Sequence, residues 1–363
     1  MELRKSRKEE LLKNLTLLFA TIFISLIFFE IAIRIIEPDK SETTPGLIVK
    51  DDLLGFKQAS NFTARHVNTN SGFSVTITTN SLGLRSREVE KEKTKRRVLV
   101  LGDSVVWGFG VEDNETFPSI LNDETEGFEF INAALSDYST KQELDYLRRD
   151  GIKLKPDVVM LGFFVGNDFV DNLVRSGNAS IRVESSWFKG LKRWVRKNIK
   201  TYEFVMRRLR GIYSVRLFLI KTGLANNEDF YQYRIYIKDY DNDVNEAINI
   251  TFDYIREMNS LTKRNNITFV MLLIPPKYQI YDKEWQAALE YNRFKEDEVE
   301  RMKPTIILKD FCRKNNIEYI DLLEDLKNVK EDIYIKRDTS HFNALGHRII
   351  ADILKDKFKN QSL

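Results

Sequence analysis

The sequence predicts an α/β domain built on a parallel sheet, placed behind an N-terminal transmembrane helix. Three observations carry that expectation. The short apolar strand Arg97-Val98-Leu99-Val100-Leu101 is stopped at once by Gly102-Asp103-Ser104. A run this short and continuous suits a parallel strand covered on both faces. Beyond it, apolar strands alternate with helical stretches, the signature of a parallel sheet with crossover helices. Ahead of it, Leu15 to Ile36 is almost wholly apolar. A helix over that run spans roughly 33 Å, enough to cross a hydrocarbon core of about 30 Å.

Composition narrows the class. With 363 residues, the chain holds one large domain or two ordinary ones. Its 42% hydrophobic and 31% charged residues describe a globular protein. A net charge of +3 leaves no nucleic-acid footprint, so no nucleic-acid partner is expected. Cys312 is the only cysteine, which excludes an intramolecular disulfide and a cysteine metal site. The only histidines are His66, His341 and His347, too few for a His-rich metal centre. Neither a Walker-type phosphate loop nor a dinucleotide fingerprint is present.

In chain order, residues 1–14 carry Arg4, Lys5, Arg7, Lys8 and Lys13, which assign this end to the cytoplasm. Residues 15–36 are the span. Glu30 and Arg34 lie four apart on one helical face and can pair. The span ends Arg-Ile-Ile-Glu-Pro, with no small-residue cleavage site, so it reads as an uncleaved signal anchor. Residues 37–96 are a linker and a small β extension. Phe73 to Thr78 alternates apolar and polar, a half-buried strand, and Glu88 to Arg97 is a charged, solvated connection.

Residues 97–363 form the main domain. Helices are expected over Thr116–Glu124, Thr140–Gly151, Val244–Asn265, Lys303–Asn315 and Asn343–Lys359. Strands are expected over Glu129–Asn132, Asp157–Phe164, Ile267–Ile274 and Glu318–Leu322. A basic, aromatic insert occupies about 180–240. Between Trp187 and Lys221 it sets Arg193, Arg196, Lys197, Lys200 and other basic residues against one acid, Glu203. That pattern fits a lipid contact, a basic lid over the site, or a solvated helical hairpin, and amphipathicity does not separate the three.

Three stretches fall at strand ends or loops on one expected edge of the sheet: Gly102-Asp103-Ser104, Gly166-Asn167-Asp168 and Asp338-Thr339-Ser340-His341. Ligands in open parallel sheets bind at that edge. A serine hydroxyl is a weak nucleophile and needs a neighbouring base, which His341 can supply. An acid three residues earlier, Asp338, can hold the other ring nitrogen and fix the tautomer. Asn167 offers an amide donor to a developing oxyanion. His347, within the last helix, reads as structural, and His66 has no assigned role.

These blocks, in this order, resemble the SGNH/GDSL hydrolase family from about Arg97 to Lys359. The resemblance implies a flavodoxin-like three-layer α/β/α fold with a five-stranded parallel sheet. It implies Ser104 as nucleophile, His341 as base, Asp338 as orienting acid, and Ser104, Asp137 and Asn167 around the oxyanion hole, with no metal or organic cofactor. One block departs from the family. Where it has Asn-x-Gly-x-x-Gly, this chain reads Asn132-Ala133-Ala134-Leu135-Ser136-Asp137. The peptide N–H of Asp137 survives, but its carboxylate repels an oxyanion unless it points away.

The expectation is therefore a bacterial, single-pass serine esterase. Its domain lies outside the cytoplasmic membrane, on the periplasmic or extracellular side, and removes O-acyl (acetyl) groups from carbohydrate or another small ester. An O-acyltransferase using the same site is the nearest alternative. An inactive glycan-binding or assembly factor is the alternative of another class.

Overall fold

The computed structural model describes residues 2–36, 44–68, 71–175, 194–195, 198–210, 212, 214–215, 218 and 232–359. In chain order it begins with α1 (Glu2–Ile36), β1 (Ile48–Asp51), β2 (Gly55–Gln58), β3 (Thr63–Asn68) and β4 (Phe73–Thr78). There follow β5 (Arg96–Gly102), α2 (Ser104–Trp107), α3 (Phe117–Glu124), β6 (Phe128–Asn132), α4 (Thr140–Tyr146), β7 (Val158–Phe164) and α5 (Asp168–Arg175). Then come α6 (Lys200–Arg210), α7 (Asn242–Arg264), β8 (Thr268–Ile274), α8 (Lys277–Ile280) and α9 (Asp282–Asn292). The last elements are α10 (Lys303–Lys314), β9 (Glu318–Asp321), α11 (Leu323–Lys327) and α12 (Ala344–Lys359).

The chain divides into two compact units. One joins Met1–Lys40 to Arg182–Ala225, the other Ser41–Ile181 to Asn226–Leu363. Residues 232–240, read from sequence as insert, thus belong with the sheet, where Ile237 bridges to Val299. Much of the 187–221 stretch lies outside the described residues.

In the first unit α1 is a continuous helix, and Leu12–Ile36 is long and apolar enough to cross a membrane. Thr16 and Thr21 turn their hydroxyls onto the carbonyls of Leu12 and Leu17, so neither is left unsatisfied in an apolar surrounding. Glu30 and Arg34 pair at 2.8 Å.

In the second unit the sheet order is β6-β5-β7-β8-β9, every pairing parallel. This is the flavodoxin-like order, in which the sheet's first strand, β5, has the next two strands, β6 and β7, on opposite sides and its carboxyl end is the switch point. Successive residues divide between two cores. Val98, Val100, Met160 and Leu272 pack with Ile120 of α3, Leu326 of α11 and Leu354 of α12. Leu99, Leu101, Leu161 and Met271 pack with Leu144 of α4, Ile255 of α7 and Leu308 of α10. Period-two strands buried on both faces therefore make this unit three-layered.

Two helix-to-strand joints use the same device. Helix α7 ends at Asn265-Asn266-Ile267 and α10 at Asn315-Asn316-Ile317, with φ +56° at Asn266 and +51° at Asn316. Ile267 donates to the Thr262 carbonyl (3.0 Å) and Ile317 to that of Cys312 (2.9 Å), closing each helix before β8 or β9. Asparagine tolerates the left-handed residue this closure needs.

Some expectations need correction. The expected helix over Thr140–Gly151 is α-helical only to Tyr146 and widens into a π turn over Leu147–Gly151. Gly151 lies against β5, where a Cβ would come within 2.9 Å of Leu99. Helices α8, α9 and α11 were not foreseen, because Pro275-Pro276 and dense charge mask their apolar faces. The Glu88–Arg97 connection is not merely solvated: the buried Arg97 side chain donates to the carbonyls of Glu90 and Leu154 and to Glu129.

Candidate active site

Strand β5 ends at Gly102, where a Cβ would lie 2.3 Å from Val106 Cγ2, so no larger residue fits the turn. Asp103 follows in extended backbone, and its Oδ1 accepts the Val105 N–H at 2.9 Å. That cap starts α2 and makes Ser104 its first residue, at the switch point of the sheet.

The partner loop comes from the far end of the chain. Ile335 donates its N–H to the His341 carbonyl (2.9 Å) and Asn343 to the Ile333 carbonyl (2.9 Å). Lys277, just after β8, donates to the Thr339 carbonyl (2.9 Å), and the Tyr334 hydroxyl to the Pro275 carbonyl (2.8 Å). The loop is thereby fastened to the carboxyl end of β8 and presents His341 to Ser104. Ser104 Oγ lies 2.8 Å from His341 Nε2, and His341 Nδ1 lies 2.8 Å from Asp338 Oδ2. Asp338 Oδ1 also accepts the N–H groups of Ser340 (2.7 Å) and His341 (3.0 Å). Burial alone would raise the Asp338 carboxyl; the His341 contact and these two N–H groups outweigh it and hold it below the usual carboxylate range.

The other two residues singled out in the sequence approach from separate loops. Leu135 donates to the Gly102 carbonyl at 3.1 Å, bringing the segment after β6 alongside β5. Asp137 is exposed and has φ +66°, the left-handed backbone that glycine would adopt there. Among the described residues, no protein acceptor takes the N–H of Ser104 or Asp137. Asn167 Nδ2 donates to Asp171 Oδ2 at 2.8 Å, which engages one of its two amide hydrogens. The same amide faces the Asp103 carboxyl. Burial raises the Asp103 carboxyl, and burial with the nearby charge of Asp103 raises that of Asp168.

Several neighbours of the site gave no sequence signal. The Phe109 ring lies over His341, centroids 4.4 Å apart and 34° between planes. Phe73 and His66, from the β3–β4 hairpin, close on Phe109 edge-on at 5.2 and 5.3 Å. The buried Arg85 donates to the carbonyls of Gly108 (2.6 Å) and Val111 (2.6 Å) and to Asp113 (2.7 Å). The β extension is thus stitched to the loop after Ser104. Only Asp171 was findable, four residues from Asn167 on one helical face. His347 is buried, stacks on Phe117 and accepts its N–H at 3.3 Å; burial pushes its pKa down to about 3. Among the described residues no three His, Cys, Asp or Glu side chains gather as a metal site.

The model of the GDSL-like lipase/acylhydrolase family matches residues 98–354. The chain belongs to this family. As a GDSL-like acylhydrolase it is a hydrolase acting on ester bonds. Similar solved structures include a GDSL-like lipase from Bacteroides thetaiotaomicron, with 14% identity and TM-score 0.40, covering 76% of this chain and 93% of that one. A lipase/acylhydrolase from Enterococcus faecalis shares 13% identity at TM-score 0.38, covering 73% and 96%. A catalytic mutant of an acetylxylan esterase from Geobacillus stearothermophilus shares 13% at TM-score 0.37, covering 73% and 94%. No curated protein matches the chain.

Proposed function

We propose that this GDSL-family hydrolase is a membrane-anchored serine esterase that removes O-acyl, chiefly acetyl, groups from carbohydrate outside the cytoplasmic membrane. The observation that carries the reading is the continuous Ser104–His341–Asp338 chain, with both links at 2.8 Å. Ser104 Oγ attacks the ester carbonyl carbon while its proton passes to His341 Nε2, and Asp338 faces the imidazolium that forms. The oxyanion takes the N–H groups of Ser104 and Asp137 and the amide hydrogen of Asn167 that is not given to Asp171. Collapse breaks the bond to the alcohol, which leaves with the proton from His341. Water then adds to the acyl-Ser104 ester through the same base, releasing the carboxylic acid and restoring the serine.

The residues flanking these groups, Ser136, Asp137, Thr339 and Ser340, are polar and reach solvent, which supports a hydroxyl-rich substrate. The apolar part of α1, Leu15 to Ile36, and the basic residues before it support a span with the N-terminus in the cytoplasm. The test is incubation with an activated acetyl ester, with and without glycan acceptors, following free acid and acylated glycan together. Free acid in both arms is the expected result. Acyl transfer to the glycan in place of hydrolysis would replace the esterase by a transferase. No turnover, with the fold intact by circular dichroism, would leave a binding protein.

A further inference from the structure

The membrane helix does more than anchor. Near its far end, Glu30 uses both carboxylate oxygens on another element: Oε1 accepts the N–H of Lys200 (3.0 Å) and Oε2 that of Thr201 (2.9 Å). These are first-turn donors of α6, so Glu30 acts as an N-cap supplied from another helix. Arg34, paired with Glu30, donates to the Asn198 carbonyl at 2.7 Å. Phe204 of α6 meets Phe29 edge-on at 6.1 Å. Ile33 is buried there, whereas the other described apolar side chains of α1 stand exposed.

This fixes the depth of α6. Glu30 lies six residues before Ile36, roughly 9 Å along the helix axis at about 1.5 Å per residue. A helix starting at that level sits at the boundary between acyl chains and headgroups. Its residues suit that place. Val205 is exposed, and so are Trp194, Ile212 and Phe218 around it. Lys200, Arg207, Arg208 and Arg210 accompany the single acid Glu203. The Arg208 guanidinium stacks 3.5 Å from the Phe204 ring centroid. Aromatic and aliphatic residues interleaved with cations are what an interfacial helix carries.

We propose that α6 is an interfacial helix, locked by the Glu30 cap onto the outer end of the span and binding anionic headgroups of the lipid surface there. The inference rests on α1 spanning the membrane, and the experiment separates the two. Full-length protein, with the buried Cys312 replaced by alanine, carries a single environment-sensitive label on Phe23→Cys or Val205→Cys. It is placed in nanodiscs of phosphatidylcholine, with or without phosphatidylglycerol, containing deep or shallow doxyl quenchers. The expected result is deep quenching at position 23 and shallow quenching at 205, stronger with phosphatidylglycerol. Glu30→Ala should shift the docked-to-undocked ratio of the 205 label about fivefold, the effect of losing one N-cap. An unquenched label at 23 overturns the span and the proposal with it. A quenched label at 23 with an unquenched one at 205 overturns the proposal alone, as does a 205 signal indifferent to Glu30→Ala.

Discussion

Phe109 lies tilted over the imidazole of His341, 34° between planes, and the ring proposed to take the serine proton is therefore backed by an apolar surface. Replacing it by leucine leaves the hydrogen bonds of His341 in place and loosens the ring. Phe109→Leu should lower kcat about three- to tenfold, the worth of one aromatic pair, with KM little changed; steady-state kinetics on an activated acetyl ester read this. Asp137 poses the opposite case. Its backbone already has the glycine conformation, so Asp137→Gly removes a charge without moving the N–H. The rate of acylation of a neutral ester should rise about two- to fivefold and the gain should fade with salt; a fall would mean the carboxylate holds substrate. His347 reports on stability. Its folded pKa of about 3 lies below the unfolded value of about 6.5, so the unfolded chain binds the extra proton between them. Stability is complete above that window and is lost as pH falls through it. His347→Gln keeps an acceptor for the Phe117 N–H and cannot titrate. In denaturant titrations, wild type should lose about 2 kcal/mol more than the variant between about pH 7 and about pH 5; equal losses would contradict the assignment.

At the scale of elements, the β extension is a structural part of the site. Arg85, from the segment after β4, binds the carbonyls of Gly108 and Val111 and the carboxylate of Asp113. Arg85→Met leaves the two buried carbonyls without this donor and takes the cation from half-buried Asp113, and should cost about 3–5 kcal/mol of stability by thermal or denaturant unfolding, with activity falling alongside. Arg85→Lys keeps the charge but not the fork, and should recover little. None of this was readable from the sequence, since a lone arginine after a hairpin gives no sign of which carbonyls it will meet. The strands were readable, because β5, β7 and β8 are buried on both faces and appear as unbroken apolar runs. So were α7 and α10, whose apolar periodicity ends on Asn-Asn. Short α8 and α11 were not, for four or five residues hold too little of a period.

At the scale of the molecule, the sheet order decides what meets what. Ser104 and His341 stand 237 residues apart and meet because β5 lies centrally and the last loop is fastened to the end of β8. The blocks were visible in the sequence as residue types at strand ends; their convergence needed the strand order, and the surrounding shell of Phe109 and Arg85 needed the structure. The long apolar helix α1 was legible by length, and the partner of Glu30 on α6 was not, being 170 positions away. The central claim is that this arrangement makes Ser104 a nucleophile. Labelling with a fluorophosphonate, followed by peptide mapping, tests it most directly. The account predicts one labelled site, Ser104, with label absent in Ser104→Ala and slowed by roughly three orders of magnitude or more in His341→Ala. Labelling that persists in Ser104→Ala, or a wild-type enzyme that hydrolyses esters while Ser104 stays unmodified, would contradict it.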